Sequence, residues 1–324
     1  DGGRVAAHRD RQIGELLDEA QRCGRCAAAS DRLLREALDR RMGTELVRPR
    51  PRLYARTSYW NGLPRRSREE HILRGLAALH PDWTFCSASA ALLHGLPVSY
   101  RQLKSAHILD PASHTSCAGV TRHRQRSTQP SPARARGVRV TPLTDTIVDC
   151  LLALNFKEGL AVADAALSRL RMSVPGLDAL LAEKGRRRPG VRQARKTAQH
   201  ADARSESGGE SMARAVMIEN GFMPPELQVP IENPDRPGWP WRTDFYWLLP
   251  DGTTVAGELD GGEKYVNPNM THGRDALQVL RDERIRESQL TLAVDRVMRF
   301  TFADVIDERR LVALLERFGI PRIG

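Results

Sequence analysis

The sequence predicts a multidomain α/β protein with an N-terminal winged helix, a mixed α+β middle domain and a C-terminal α/β layer around a mixed central sheet. Length is the first observation behind this, since 324 residues with 40% hydrophobic content suffice for two or three separate cores. The second is a hydrophobic period that switches repeatedly between helical and alternating spacing. The third is a polar, basic stretch at 185–206, which reads as a linker or an exposed helix. Together they set the expected domains at 1–62, 63–184 and 207–324, with 185–206 between the last two.

In the first domain, RQIGELLDEA and SDRLLREALDRRMG carry apolar residues at helical spacing, as in Leu33, Leu34, Ala37 and Leu38. Ser30 stands at the expected N-cap and Gly43 at the helix end. ELVRPRPRLYAR then alternates and turns like a β-wing. Helix, turn, helix and wing is the winged-helix order, in which the second helix enters the major groove of DNA. Arg32, Arg35, Arg40 and Arg41 are then the candidate contacts to phosphates or base edges. A helical cap on the neighbouring domain accounts for the same pattern without DNA.

The middle domain opens with two helices, SREEHILRGLAALHP and SASAALLHGLPV, the second stopped by Gly95 and Pro97. SAHILD and GVRVTPL alternate as strands, and TDTIVDCLLALNF and KEGLAVADAALSRL are again helical. His94 beside an apolar run reads as structural. Charge is the region's main signal. Lys plus Arg number 50 against 40 Asp plus Glu in the whole chain, yet residues 101–200 alone hold 18 basic and 7 acidic residues. Arginine forks in RHRQR and GRRRPGVRQARK suit phosphate oxygens, which makes Arg122, Arg124, Arg126, Arg186, Arg187 and Arg188 candidate nucleic-acid contacts. A solvated charged surface is the plainer alternative.

The C-terminal domain begins at Ser207, an N-cap with Glu210 three residues on, the spacing of a capping box. PPELQVPI is extended, WRTDFYWLL is a strand, PDG a turn and TTVAGELDG the returning strand. Alternation puts Thr254, Ala256, Glu258 and Asp260 on one face, with Glu258 and Asp260 roughly 7 Å apart at the backbone. Pairing the two strands brings Asp244 beside Glu258. Like charges in an apolar strand need a positive partner, and three converging carboxylates suit a hard divalent cation, Mg²⁺ or Mn²⁺. Gly261 and Gly262 allow a sharp turn, and Lys264 then supplies a compact positive charge. Metal and lysine together are what phosphodiester hydrolysis needs. The bland alternatives are a capping role for Glu210, an ion pair with Arg242 or an arginine of the following long helix for Asp244, and a solvated turn position for Lys264. THGRDALQVLRDERIRESQL reads as a long helix whose Arg281, Glu283 and Arg284 face the site or substrate phosphates, or form a surface ion-pair face. TLAVDRVMRFTFADV reads as a strand with Met298, Phe300 and Phe302 on one side, and Asp304 starts a last helix.

In order, SGGES, PELQVP, RTDF, GELDGGEKY, RDERIR and RFTFADV resemble the PD-(D/E)XK nuclease superfamily over about residues 205–318. The nearest likeness is to its very-short-patch-repair-like branch, common in actinobacterial proteins. The resemblance implies a restriction-endonuclease-like α/β fold with Glu210 as the helix carboxylate, Asp244 as the strand aspartate and Glu258 as the second acidic ligand. The chain departs from the pattern at Asp260, where the family has lysine, so that Lys264 substitutes for it or Asp260 is a further ligand. SDRLLREALDRRMGTELVRPRPRLYA, SASAALLHGLP and TPLTDTIVDCLLALNFKEGLAVADAAL are similar to AbiEi-type winged-helix antitoxins of type IV toxin–antitoxin systems.

Two functions follow as expectations. One is a Mg²⁺-dependent endonuclease that docks DNA on its basic regions and cuts it at the carboxylates. The other is an antitoxin or transcriptional repressor whose nuclease-like domain is silent and serves homodimerisation or contact with a cognate toxin. A polar first stretch, DGGRVAAHRD, and the lack of an ~18-residue apolar run exclude a secretion signal and a spanning helix and point to a cytoplasmic protein without a membrane partner. Five cysteines, among them one CxxC at Cys23 and Cys26, favour free thiols over a disulfide framework or a zinc site.

Overall fold

The computed structural model describes residues 2–110, 119–124, 130–233, 238, 240–260 and 290–323, with side chains from residue 8 onward. It is mixed α/β, and it divides into two compact units, Asp1–Thr146 and Ile147–Gly324.

The first unit starts with α1 (Gly2–Arg22), β1 (Ala27–Ala28), α2 (Arg32–Asp39), β2 (Leu46–Arg50) and β3 (Leu53–Arg56). The strands form an antiparallel sheet in the order β1-β3-β2. Its core is Ile13, Leu17 and Ala20 of α1 against Ala37, Leu38, Leu46 and Tyr54. The N-cap of α2 is Asp31 rather than Ser30: Leu34 N–H donates to Asp31 Oδ1 at 2.9 Å, and Ser30 Oγ donates to the same carboxylate. Gly43 has φ +83, the left-handed conformation expected where the helical segment turns into β2.

α3 (Thr57–Gly62) and α4 (Arg65–Leu79) follow, and Ile72 of α4 shares a cluster with Cys26 and Leu53 of the first sheet. Then come β4 (Thr84–Phe85), α5 (Ser87–Leu93), β5 (Ala106–Asp110), β6 (Val120–Arg124), β7 (Ala133–Ala135) and β8 (Val138–Val140). They make a five-stranded mixed sheet, order β6-β5-β4-β8-β7, packed on α5 through Leu92, Leu93, Ile108 and Val140. His94 is structural, its Nε2 lying 2.8 Å from the Thr141 carbonyl oxygen.

The division between units falls within α6 (Leu143–Ala153). α7 (Phe156–Leu170), α8 (Val174–Lys184) and α9 (Val191–Ala198) therefore belong with the C-terminal sheet, so the structural boundary does not coincide with the sequence-based divisions at 184 and 207. The reason is packing: Phe156 and Leu160 of α7 are buried against Ala215, and Arg214 Nη2 donates to both carboxylate oxygens of Asp164 at 2.8 Å in a buried ion pair. α9, inside the basic stretch, buries Ala194, Thr197 and Ala198 on one face. Gly190 begins it at φ +83, where a Cβ would stand 2.1 Å from the Leu152 carbonyl oxygen, so only glycine fits.

α10 (Gly208–Glu219), β9 (Glu226–Ile231), β10 (Trp241–Leu248), β11 (Thr254–Asp260) and β12 (Arg296–Thr301) complete the layer with α11 (Phe302–Ile306) and α12 (Glu308–Arg317). The sheet runs β12-β11-β10-β9, parallel between β11 and β12 and antiparallel elsewhere, which is the mixed central sheet expected. One face packs Phe245, Trp247, Val255, Met298 and Phe300 against Val216 and Met217 of α10. Phe302 does not continue that row. Thr301 and Asp304 form a capping box that ends the strand and starts α11, and Phe302 is left exposed. The four described cysteines, Cys23, Cys26, Cys86 and Cys150, are free thiols, and Cys117 lies outside the described residues. Among the described residues no helix is long and apolar enough to cross a membrane.

Candidate active site on the β10–β11 hairpin

The hairpin fixes the carboxylates. Its register pairs Phe245 with Gly257 and Tyr246 with Ala256, and carried one residue beyond those pairs it would set Asp244 opposite Glu258. The backbone N–H of Leu259 donates to Asp244 Oδ2 at 3.0 Å, which holds this carboxylate against β11. Because Phe245 and Trp247 fill the main core, alternation turns Asp244 and Tyr246 to the other face, where Tyr246, Ala256 and Val297 join Leu290 and Val294. Glu258 and Asp260 share that face.

Asp260 has a partner that spacing does not reveal. Arg299, which β12 sets opposite Glu258, directs Nε (3.2 Å) and Nη2 (2.5 Å) to Asp260 Oδ1. The positive group beside the E-x-D pair is thus a guanidinium from the parallel neighbour strand.

Glu210 enters from the first turn of α10. Ser207 Oγ accepts from Glu210 N–H at 3.1 Å, one half of the capping box. The other half is displaced by one residue: the Glu210 carboxylate accepts from Glu206 N–H at 2.9 Å rather than from Ser207. Gln228 Nε2 donates to the same oxygen, Oε2, at 3.2 Å. Burial pushes the Glu210 carboxyl above its ordinary value and the Asp244 carboxylate adds to this, while Ser207, Glu206 and Gln228 oppose it. Arg242, offered as an ion-pair partner for Asp244, instead binds Glu206.

The structure therefore brings Asp244, Glu258, Asp260 and Glu210 to one end of the sheet. All four offer hard oxygen donors of the kind Mg²⁺ takes. Among the described residues, no three His, Cys, Asp or Glu side chains converge closely enough to stand out as a metal-ligating group. Lys264, Arg281 and Arg284 lie outside the described residues. Gln228 was missed by sequence reasoning; its one signal is a place between the prolines of PELQVP.

The candidate nucleic-acid contacts are spread over both units. Arg35 and Arg40 of the first unit are exposed, whereas Arg32 pairs with Glu36 at 2.7 Å and Arg41 with Asp10 and Glu45. Arg122 is engaged by Asp110, Arg124 is exposed, and Arg126 is outside the described residues. In the second unit Arg186 and Arg187 are exposed and Arg188 binds Asp149 at 2.6 Å.

Two proteins of Mycobacterium tuberculosis, one from strain CDC 1551 / Oshkosh and one from strain ATCC 25618 / H37Rv, are each 34% identical to this chain over 184 residues. Both are described as uncharacterized. The match takes in 56% of this chain, which thus spans 64% of the length of each relative. No family model and no solved structure matches the chain.

Proposed function

We propose that the second unit hydrolyses phosphodiester bonds of DNA at Asp244, Glu258 and Glu210, with Mg²⁺ or Mn²⁺ as cofactor. The observation that carries this reading is the Leu259 N–H bond that holds the Asp244 carboxylate against β11, next to Glu258 in the chain and near enough for the Asp244 charge to act on Glu210. Asp244 and Glu258 are the residues that would hold the cation, and the donor set fits one that prefers oxygen. When bound, such an ion polarises the phosphoryl oxygen and lowers the pKa of a coordinated water. Asp244 is held for this by the Leu259 N–H, and Glu210 by Glu206 and Gln228. Asp260 is engaged by Arg299, so orienting the attacking water falls to Glu210 or to Lys264. The exposed Arg35, Arg40, Arg124, Arg186 and Arg187 are the proposed phosphate contacts of the duplex.

The second reading is a DNA-binding repressor or antitoxin whose nuclease-like unit binds a toxin or a second copy of the chain. The Asp260–Arg299 pair favours it, because that aspartate stands where the resembled family has its lysine. Supercoiled plasmid and single-stranded DNA incubated with Mg²⁺, Mn²⁺ or EDTA separate the two. The nuclease reading expects metal-dependent cutting that Asp244→Asn and Glu258→Gln abolish while DNA retention at low salt persists. Retention without cutting under any metal, or cutting untouched by both substitutions, would overturn it.

A further inference from the structure

Gln228 lies in the middle of β9 with φ +55, in the left-handed region that residues with a Cβ rarely adopt. An inserted residue is the common reason for such a kink, since a bulge leaves one strand a residue out of step. That reason fails here. Leu227 pairs with Phe245 and Val229 with Thr243, the same register on both sides, and Gln228 stands opposite Asp244 between them. Strain of this kind persists where the surroundings enforce it, and it gathers at functional sites. The surroundings of Gln228 are the proposed site itself. Its amide donates to Glu210 Oε2, the oxygen that also takes the Glu206 N–H, while its backbone faces Asp244.

We propose that Gln228 is a positioning residue: its left-handed backbone aims the amide across the sheet end and fixes the Glu210 carboxylate beside Asp244. This rests on the hydrolytic reading of that site. One side-chain donor, the Gln228 amide, and one backbone donor, the Glu206 N–H, then set where the Glu210 carboxylate points, in the way outer hydrogen bonds orient ligating carboxylates. Gln228 touches neither substrate nor the reacting atoms, so its removal acts on turnover rather than on DNA affinity.

The test uses the full chain with Gln228→Gly and Gln228→Asn, because glycine and asparagine both accept positive φ and neither reaches Glu210 as glutamine does. Steady-state cleavage of plasmid is measured with thermal unfolding alongside. The expected result is a kcat lower by about 10- to 100-fold in both variants, a KM for DNA within about threefold of wild type, and a thermal midpoint that does not fall for Gln228→Gly. A wild-type kcat in either folded variant overturns the assignment. So does a change confined to KM, which would make Gln228 a substrate contact, or failure of both variants to fold, which would make it structural. If the wild-type protein cuts no nucleic acid with any metal, the hydrolytic reading itself falls and the positioning role falls with it, a result distinct from a silent substitution in an active enzyme.

Discussion

Gly257 separates Ala256 from Glu258 on β11 and pairs with Phe245, so the replacement Gly257→Ala tests whether the hairpin sets the site. A Cβ there would stand 2.9 Å from Trp247 Cζ3, 3.0 Å from Phe245 Cβ and 3.3 Å from Trp247 Cη2. Favourable carbon contact begins near 3.5 Å, so the overlap is about half an ångström on two sides. Neither neighbour can retreat easily. Trp247 is fully packed and its Nε1 donates to the Met223 carbonyl oxygen at 2.9 Å, and Phe245 rests on Phe300 with ring centroids 5.7 Å apart. Overpacking of this kind costs about 1–3 kcal/mol, and losing a strand glycine returns about 0.5–1 kcal/mol. The net destabilisation is about 1–2 kcal/mol.

Gly209→Ala supplies the internal control. Its Cβ would also meet an atom at 2.9 Å, but that atom is Leu259 Cδ2, the free end of a flexible side chain, and the next contact is at 3.6 Å. A rotamer adjustment relieves it, and alanine favours the helix by about 0.5–1 kcal/mol. Calorimetry of the full chain reads both. For a unit spanning 147–324, each kcal/mol moves the midpoint by about 2–4 °C, so Gly257→Ala should melt about 2–8 °C lower and Gly209→Ala at or above wild type. Equal midpoints would refute the argument that aromatic packing behind β11 holds the hairpin in place.

Two further outcomes are expected. The Glu210 carboxyl titrates above its ordinary value of 4.5, so its charge destabilises the fold once pH rises past that value; Glu210→Gln should raise stability at pH 7 by about 1 kcal/mol, lose that advantage below pH ~4.5, and abolish cleavage, as denaturant melts at the two pH values and a plasmid assay would show. Arg214→Met leaves Asp164 buried without its partner and should cost about 3–5 kcal/mol, with much of the loss recovered when Asp164→Leu is added; a loss under 1 kcal/mol in a urea titration would mean the pair contributes little.

How much of this was legible in the sequence depends on whether a feature is local. The PDG turn and the alternation through Phe245 and Trp247 anticipate the antiparallel β10–β11 pairing, because register follows from a short turn and a buried face. Arg299 was illegible as the partner of Asp260: the two come together only through a parallel pairing across a long connection, which no spacing encodes. Phe302 was placed in β12 by extending a period of two, although T-F-A-D carried a capping signal that ends the strand at Thr301. The basic stretch read as a linker or an exposed helix; it holds a helix, and composition hides only the small buried face of Ala194, Thr197 and Ala198. Composition also overstated the free positive charge, since Arg122, Arg136, Arg188 and Arg195 are engaged by carboxylates within their own units. Gln228 had no signal beyond its place between the prolines of PELQVP. Glutamine does not mark positive φ, and only the fold reveals that this one adopts it.

The balance of charge at the sheet end is the strongest physical reason to look for a cation there. Among the described residues, Glu210, Asp244, Glu258 and Asp260 put four carboxylates toward one end of the sheet without three of them converging, and the guanidinium of Arg299 is directed at Asp260. Asp244 and Glu210 accept from the backbone N–H groups of Leu259 and Glu206, bonds that asparagine and glutamine side-chain carbonyls accept equally well. Hydrogen bonding therefore does not require these positions to be charged. An amide at either would remove like-charge repulsion at no loss of backbone contact; burial is the main cause of the upward push on the Glu210 carboxyl, and the Asp244 charge adds to it. A sequence selected for stability alone has no use for the surplus. In the proposed hydrolytic reading a divalent cation would use that surplus, held by Asp244 and Glu258 with Glu210 beside them, while Arg299 engages Asp260.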